Sequence, residues 1–241
     1  MSTAVHEART QRLGQHLLWR IHRRYQTRTQ TLRFGPLSIP FTRIADPDRV
    51  LDQVAQEEDR QEKVSGRRLD GDCLHLPYWA ELWDSALGLA QVLVHDGVHG
   101  SVLDLGCGMG LAGTVAAAMG ASVLFGDLEP PALLFAALNS LPWRQRVRTR
   151  RIDWRTVSLN ERFDLILGAD IVYERTQWPH LEPFWRRHLA AGGSVLLGEP
   201  GRQTGELFEQ WILQHGWTLQ RRQQAVETRP RPIHILCLRP Q

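Results

Sequence analysis

Lysine is almost missing. Lys63 is the one lysine in a chain whose lysines and arginines together number 29, so the formal charge of +3 and the pI near 9.0 rest on arginine. Cysteine is scarce too: Cys73, Cys107 and Cys237 contain no CxxC pair, which excludes a zinc ribbon, a thioredoxin-type couple and a disulfide scaffold. A reducing, cytoplasmic setting is the expectation. Cys73 and His75 stand too isolated to read as a metal site, and the other histidines are scattered, so no metal is expected. Residues 105–126 carry no charge and are long enough to raise a membrane helix, but Gly106, Gly108, Gly110, Gly113, Gly120 and Gly126 break them into turn, helix and strand. No membrane partner is expected. The N-terminus, with Glu7, Arg9 and Arg12 and no apolar stretch, does not read as a secretory signal. Neither an internal repeat nor a low-complexity tract is visible.

What is present suits one folded α/β unit: 241 residues, 42% apolar and 23% charged. Charge is unevenly spread. Residues 1–34 hold seven arginines and one acid, whereas residues 46–72 hold nine acids and five bases. Such a pair of segments suits an acidic partner or nucleic acid, or can pair internally. Leu13, Leu17, Leu18 and Ile21 give residues 3–24 one apolar helical stripe. Residues 31–34 and 37–41 flank Gly35-Pro36 as two extended pieces, and Asp46-Pro47 opens a helix reaching about Lys63. Residues 64–74 read as a polar loop. After a helix over 81–95, short strands at 101–105, 122–126, 147–152, 163–168 and 194–198 alternate with helices at 111–119, 131–140 and 178–189. That alternation predicts a parallel sheet covered on both faces. A helix over 205–215 then leads to strands at 217–221 and 233–238, an antiparallel hairpin closing the sheet.

The sharpest signal is Val102-Leu103-Asp104-Leu105-Gly106-Cys107-Gly108-Met109-Gly110, a strand running into a glycine-rich turn that opens a helix. Glycines there let backbone approach a ligand at a strand's carboxyl end. Gly108, Gly110 and Gly113 also fit GxGxxG, so a nicotinamide dinucleotide enters on equal terms. Three features separate the ligands. Asp104, just before the first glycine, opposes a diphosphate on the helix N-terminus but suits a cationic amino group. Asp127, ending the next strand, suits the hydroxyls of a ribose in either ligand. A short-chain dehydrogenase needs a lysine soon after its tyrosine, and Tyr173 is followed by Glu174-Arg175-Thr176-Gln177.

With these residues in view, the stretch from about 76 to 238 resembles the class I, seven-strand S-adenosylmethionine methyltransferases. Within them it is similar to the family-16 branch, which contains protein lysine N-methyltransferases. The resemblance is carried by Pro77-Tyr78-Trp79-Ala80-Glu81-Leu82-Trp83, by Asp104 to Gly110, by Asp153-Trp154, and by Gly168-Ala169-Asp170-Ile171-Val172-Tyr173-Glu174, which matches that branch's DxxY motif. Glu199-Pro200-Gly201-Arg202 is similar to a DPGR segment of the subgroup methylating the electron-transfer flavoprotein β subunit, with Glu199 in place of Asp.

The resemblance implies a Rossmann-like, doubly wound, mostly parallel seven-strand sheet with an antiparallel C-terminal hairpin and an N-terminal helical and hairpin extension. It divides the chain into an extension over 1–75, a lid, recognition element or edge cover, and a cofactor-binding domain over 76–241. S-adenosyl-L-methionine is the implied cofactor and S-adenosyl-L-homocysteine its product. Trp83, Asp104, Gly106, Cys107, Gly108, Gly110, Asp127, Leu128, Asp153, Trp154 and Ala169 are the implied cofactor residues. Asp104 and the Gly106 to Gly110 backbone would hold the methionine part, Asp104 acting mainly on loop geometry and the ammonium group or, more plainly, shaping an ordinary tight turn; Asp127 would hold the ribose, Asp153 the adenine amine and Trp154 the ring. Plainer roles stand beside these: Asp127 as a helix cap, Asp153 as a solvated acid, Trp83 and Trp154 as packing. Asp170 and Tyr173 are the implied catalytic residues, orienting the acceptor amine and shaping the methyl channel; Tyr173 packing under its loop is the plainer alternative. The expected function is methylation of a protein lysine, so the expected partner is a protein substrate. A nucleic-acid methyltransferase is the alternative suggested by Arg144, Arg146, Arg148, Arg150 and Arg151, though Asp170-Ile171-Val172-Tyr173 lacks the paired prolines of enzymes that act on base amines. A small-molecule methyltransferase and a non-catalytic cofactor-binding protein are the remaining alternatives.

Overall fold

The computed structural model describes residues 3–65 and 77–241. The expected loop at 64–74 lies, from residue 66 on, outside the described residues, as do Cys73 and His75. Among the described residues nine strands fall into two sheets. A hairpin of β1 (Thr27–Phe34) and β2 (Leu37–Ile44) stands apart, and the main sheet has the order β5-β4-β3-β6-β7-β9-β8. Strands β3 (Ser101–Leu105), β4 (Ser122–Asp127), β5 (Val147–Arg151), β6 (Phe163–Ala169) and β7 (Leu189–Glu199) are parallel. Strand β9 (Ile233–Pro240) enters antiparallel between β7 and β8 (Trp217–Gln224).

Period-2 alternation sends neighbouring residues of one strand into different cores. Val102, Val123, Phe125 and Leu167 pack under α3 (Asp84–Asp96), α4 (Leu111–Ala118) and α5 (Pro130–Asn139). Leu103, Leu105, Leu124 and Ile166 pack on the other face, under α6 (Trp178–His188) and α7 (Gln203–Gln214). The sheet is thus covered on both sides, with one departure: β5 is an arginine-rich edge strand, exposed at four of its five positions. Charge on an edge discourages pairing with a foreign strand. Strand β7 begins at Leu189, five residues before the expected 194. Leu189 pairs with Phe163 ahead of a register shift, so the glycines at 192 and 193, which hide the alternation in sequence, lie inside the strand. Helix α3 starts at Asp84 rather than 81 because Trp83 is extended (ψ 138°), following a 3₁₀ turn at Tyr78–Ala80.

The N-terminal segment shares the first core. Ile21 of α1 (Thr3–His22) and Phe34, Ile39, Phe41 and Ile44 of the hairpin pack with α3, α4 and α5. Its polar anchor is Asn139, buried at the end of α5. The Asn139 amide oxygen accepts from Thr42 N (2.8 Å), and its nitrogen donates to Thr42 O (3.0 Å) and Met109 O (2.9 Å). One side chain therefore ties the hairpin to the glycine loop. Helix α2 (Pro47–Ser65) follows with Val50 buried. No helix among the described residues is long and apolar enough to cross a membrane.

Replacing Asn139 by Ala leaves Thr42 and Met109 backbone groups buried without partners, each costing about 1–3 kcal/mol. Asn139→Ala is expected to lose about 3 kcal/mol in urea denaturation, with faster hydrogen exchange at Thr42. An unchanged midpoint would show that the anchor is dispensable.

Candidate active site

A cleft of about 280 Å³ opens at the carboxyl ends of β3, β4 and β6, where an open α/β sheet leaves a crevice. Its floor is the glycine loop. Strand β3 stops at Leu105 because Gly106 (φ 64°), Gly108 (φ 52°) and Gly110 (φ 81°) turn the chain through left-handed conformations. Cys107 N donates to Gly126 O (3.1 Å) and Gly110 N to Cys107 O (2.8 Å), which fixes the turn against β4. At Gly110 a side chain has no room as well as no favourable φ: a Cβ there would lie 2.8 Å from Ala136 Cα.

Two buried carboxylates hold this loop. Asp127 Oδ2 accepts from Gly108 N (2.8 Å) and Oδ1 from Glu129 N (2.9 Å), and Asp127 lies on the cleft wall. Burial raises its pKa to about 6, against the lowering effect of those N–H groups. Asp104 shares the parity of Val102 in β3 and so points toward α4, where Oδ2 accepts from Gly113 N (2.8 Å). It is 2% exposed, and burial pushes its pKa up to about 7, with the Asp127 charge adding to the rise. Among the described residues neither carboxylate has an ion-pair partner. Asp127 thus places on the cleft wall a carboxylate with only backbone donors among the described residues.

Asp104 is also the expected site residue that does not reach the cleft wall. Its place in the structure is behind the loop, holding the first turn of α4. Trp83, Gly106, Cys107, Gly108, Gly110, Leu128, Asp153, Trp154, Ala169, Asp170 and Tyr173 all line the cleft with Asp127. Asp153 is more occupied than its sequence suggests, since Arg155 Nε and Nη2 donate to its two oxygens, each at 2.9 Å, and hold its pKa below the usual range. Trp154 is steered by Nε1 donating to Gln177 Oε1 (3.0 Å). Arg155 and Gln177 line the cleft and carry no motif that would single them out in sequence.

At the other end, Asp170 follows β6 in a left-handed conformation (φ 57°), the one non-glycine residue with positive φ among those described. Its N–H donates to Gly198 O (2.8 Å). The carboxylate is nearly buried, and Arg202 Nη1 donates to Oδ1. Burial raises the Asp170 pKa, and the Arg202 charge pulls against that rise. Beside it Tyr173 and Tyr78 meet edge to face at 5.5 Å, and Tyr78 meets Trp83 at 6.2 Å. Trp83 Nε1 donates to Tyr78 O (2.9 Å), which locks the indole. The Tyr173 phenol, raised to about 12 by burial and by Glu174, stays protonated and cannot serve as a base near neutrality. Arg202, which sequence reasoning placed in a motif without giving it a role, becomes Asp170's partner through a contact spanning 32 positions.

Solved structures with this architecture are methyltransferases at low identity, which is a likeness of fold. The N-methyltransferase NodS from Bradyrhizobium japonicum WM9, in complex with S-adenosyl-L-homocysteine, is 20% identical at a TM-score of 0.54, over 65% of this chain and 86% of that one. A TehB-like methyltransferase from Corynebacterium glutamicum is 21% identical at 0.51, over 81% and 100%. In sequence, the Xenopus tropicalis protein N-lysine methyltransferase METTL21A is 37% identical over 49% of this chain and 58% of its own length. The Danio rerio electron transfer flavoprotein beta subunit lysine methyltransferase is 34% identical over 52% and 51%. The chain thus spans somewhat more than half the length of these curated relatives. A family model described as lysine methyltransferase matches residues 78–208, from the 3₁₀ turn before α3 into α7, and by that match the chain belongs to the lysine methyltransferase family.

Proposed function

We propose that this protein is an S-adenosyl-L-methionine-dependent N-methyltransferase acting on a lysine side chain of another protein. The observation that carries the reading is a pair of buried carboxylates, Asp127 on the cleft wall and Asp104 behind the glycine loop, neither with an ion-pair partner among the described residues. A diphosphate would add repulsion there, whereas a zwitterionic, sulfonium-bearing nucleoside brings positive charge and hydroxyl donors. Bound S-adenosyl-L-methionine would supply an electrophilic methyl group and leave as S-adenosyl-L-homocysteine. The residues present fit that ligand. Each Asp127 oxygen accepts one backbone N–H and retains a lone pair for a ribose hydroxyl. Asp104 acts through the loop and the α4 terminus, and the Gly106 to Gly110 backbone faces the amino-acid end. Asp153 and Trp154 receive the adenine, and Trp83 flanks the cofactor.

Asp170 orients the acceptor amine through the oxygen that Arg202 does not use, and Tyr173 and Tyr78 wall the channel around its aliphatic stem. Alignment for in-line displacement is worth about 7–11 kcal/mol. A free lysine with pKa near 10.4 must give up a proton at a cost of about 4–5 kcal/mol at pH 7. Desolvation in the aromatic channel lowers that cost, so no committed general base is assigned. The relatives' names support a protein acceptor. The N-terminal segment works as part of the cleft, because Phe41 of β2 reaches its wall. We therefore divide the chain at about residue 75, into a recognition element and a cofactor-binding domain. The free thiols of Cys107 and Cys237 support a reducing, cytoplasmic setting.

Incubation with methyl-labelled cofactor and a cell lysate is expected to label protease-sensitive material. Label that disappears with nuclease, or none at all with the cofactor bound, overturns the protein-acceptor reading. Asp170→Ala is expected to keep cofactor affinity in calorimetry and to lose at least 100-fold in turnover; retained turnover removes Asp170 from the mechanism. Cofactor binding requires ionised Asp127, whose pKa is about 6. Because a proton competes with the ligand, affinity is expected to rise about fivefold from pH 5 to 6 and about twofold more by pH 7, and to be level above that. Affinity that is level across this range would show that Asp127 does not contact the ligand.

A further inference from the structure

The reading above leaves open how a buried carboxylate can face an amine that must attack uncharged. An isolated Asp170 anion would stabilise an ammonium and raise the amine's pKa, the reverse of what nucleophilic attack needs. The structure answers with a second cation. Arg202 Nη1 donates to Asp170 Oδ1, while Oδ2 has no hydrogen-bond partner among the described residues and Asp170 lines the cleft.

The arginine is delivered by a built turn. Glu199, 3% exposed, accepts from Gly201 N and from Arg202 N, both at 2.7 Å, which fixes the chain just before α7. Arg229 Nη2 donates to Pro200 O (2.8 Å) and braces the same turn. The guanidinium of Arg202 lies 5.8 Å from the centre of the Trp83 ring, so the cation is held between Asp170 and a cleft aromatic. Other charges facing Asp170 are Arg229, which favours its ionised form, and Glu199, which opposes it. Glu199 in turn has His234 of β9 at 3.5 Å, and Tyr173 is a neutral phenol at neutral pH.

We propose that Arg202 is a positioning residue that tunes the acceptor end of the cleft for an uncharged amine: by pairing with one oxygen of Asp170 it balances the carboxylate's charge and leaves the other oxygen as a plain hydrogen-bond acceptor. The proposal rests on the N-methyltransferase reading of the same cleft. An ammonium arriving from solvent meets a balanced ion pair with a nearby guanidinium and gains little. A neutral amine donates one N–H to Oδ2 and keeps its lone pair free for the methyl carbon.

The test uses the full chain saturated with S-adenosylhomocysteine and n-butylammonium at pH 8 as the probe, followed through tyrosine and tryptophan NMR signals. Arg202→Gln is expected to bind the probe at least tenfold more tightly than the natural protein, and Arg202→Lys to bind it as the natural protein does. Equal probe affinity in the natural protein and in Arg202→Gln, with S-adenosylhomocysteine affinity unchanged, overturns the proposal. Arg202→Met, which keeps the aliphatic stem over Trp83, replaces the Gln variant if that one does not fold. In label transfer to lysate protein, the acid limb of the rate profile is expected to move up by at least one pH unit in Arg202→Gln and to stay in place in Arg202→Lys. An equal loss of rate at every pH marks a merely structural role and overturns the proposal. A natural protein that binds S-adenosylhomocysteine yet labels no protein at any pH defeats the N-methyltransferase reading instead, and the n-butylammonium comparison then still decides the role of Arg202.

Discussion

Two carboxylates, buried beneath a loop of glycines and without a basic partner among the described residues, set the terms for the rest of this molecule. Burying unpaired charge is costly, and the protein limits the cost by giving Asp104 and Asp127 backbone N–H donors while letting both pKa values climb toward neutrality. Those donors are Gly108, Gly113 and Glu129, so the same bonds that solvate the carboxylates shape the loop. Gly113 is part of the arrangement because a Cβ there would lie 2.4 Å from Phe125 and 2.8 Å from Asp104 Oδ2. Loop, helix start and charge form one unit, and altering one member disturbs the others.

Much of the fold could be read in advance, because the parallel strands β3, β4 and β6 are short apolar runs set off by turn residues. Strand β3 and helix α4 begin where the glycine pattern puts them. Misreadings came where local sequence and tertiary setting part company. The glycines at 192 and 193 conceal the early part of β7, and the extended Trp83 delays the start of α3 to Asp84. The placement of Asp104 was in principle legible: Val102 and Asp104 share a face, so a core position for Val102 puts the carboxylate under α4. For Asp104 the sequence suggested a hold on loop geometry together with the ligand's ammonium group, and strand parity puts its carboxylate behind the loop, on Gly113 N.

The end of the cleft at Asp170 was less legible, for a reason of distance in sequence. Asp170 and Tyr173 lie within one motif, but their surroundings come from the turn after β7, from the segment before α3 and from the chain between β8 and β9. Arg202, Tyr78, Trp83 and Arg229 meet there only because β6 and β7 are sheet neighbours and α3 begins late. Local pattern carries no record of such a meeting. The same holds for Asn139, whose hydrogen bonds to Thr42 cross 97 positions and fix a hairpin whose Phe41 then faces the cleft.

The conformation of Asp170 fits this account of charge. A left-handed residue other than glycine is strained by about 1 kcal/mol or more, and aspartate tolerates it better than most because its side chain is short and polar. An extended backbone at this point would continue β6 and, by alternation, redirect the carboxylate away from the line between Arg202 and the cleft. The positive φ instead turns the chain sharply while the N–H stays bonded to Gly198, so the last ladder contact survives the turn. The ion pair with Arg202 and that hydrogen bond offset the strain. The geometry is therefore maintained by its partners, and removing the arginine acts on the direction of the carboxylate as well as on its charge.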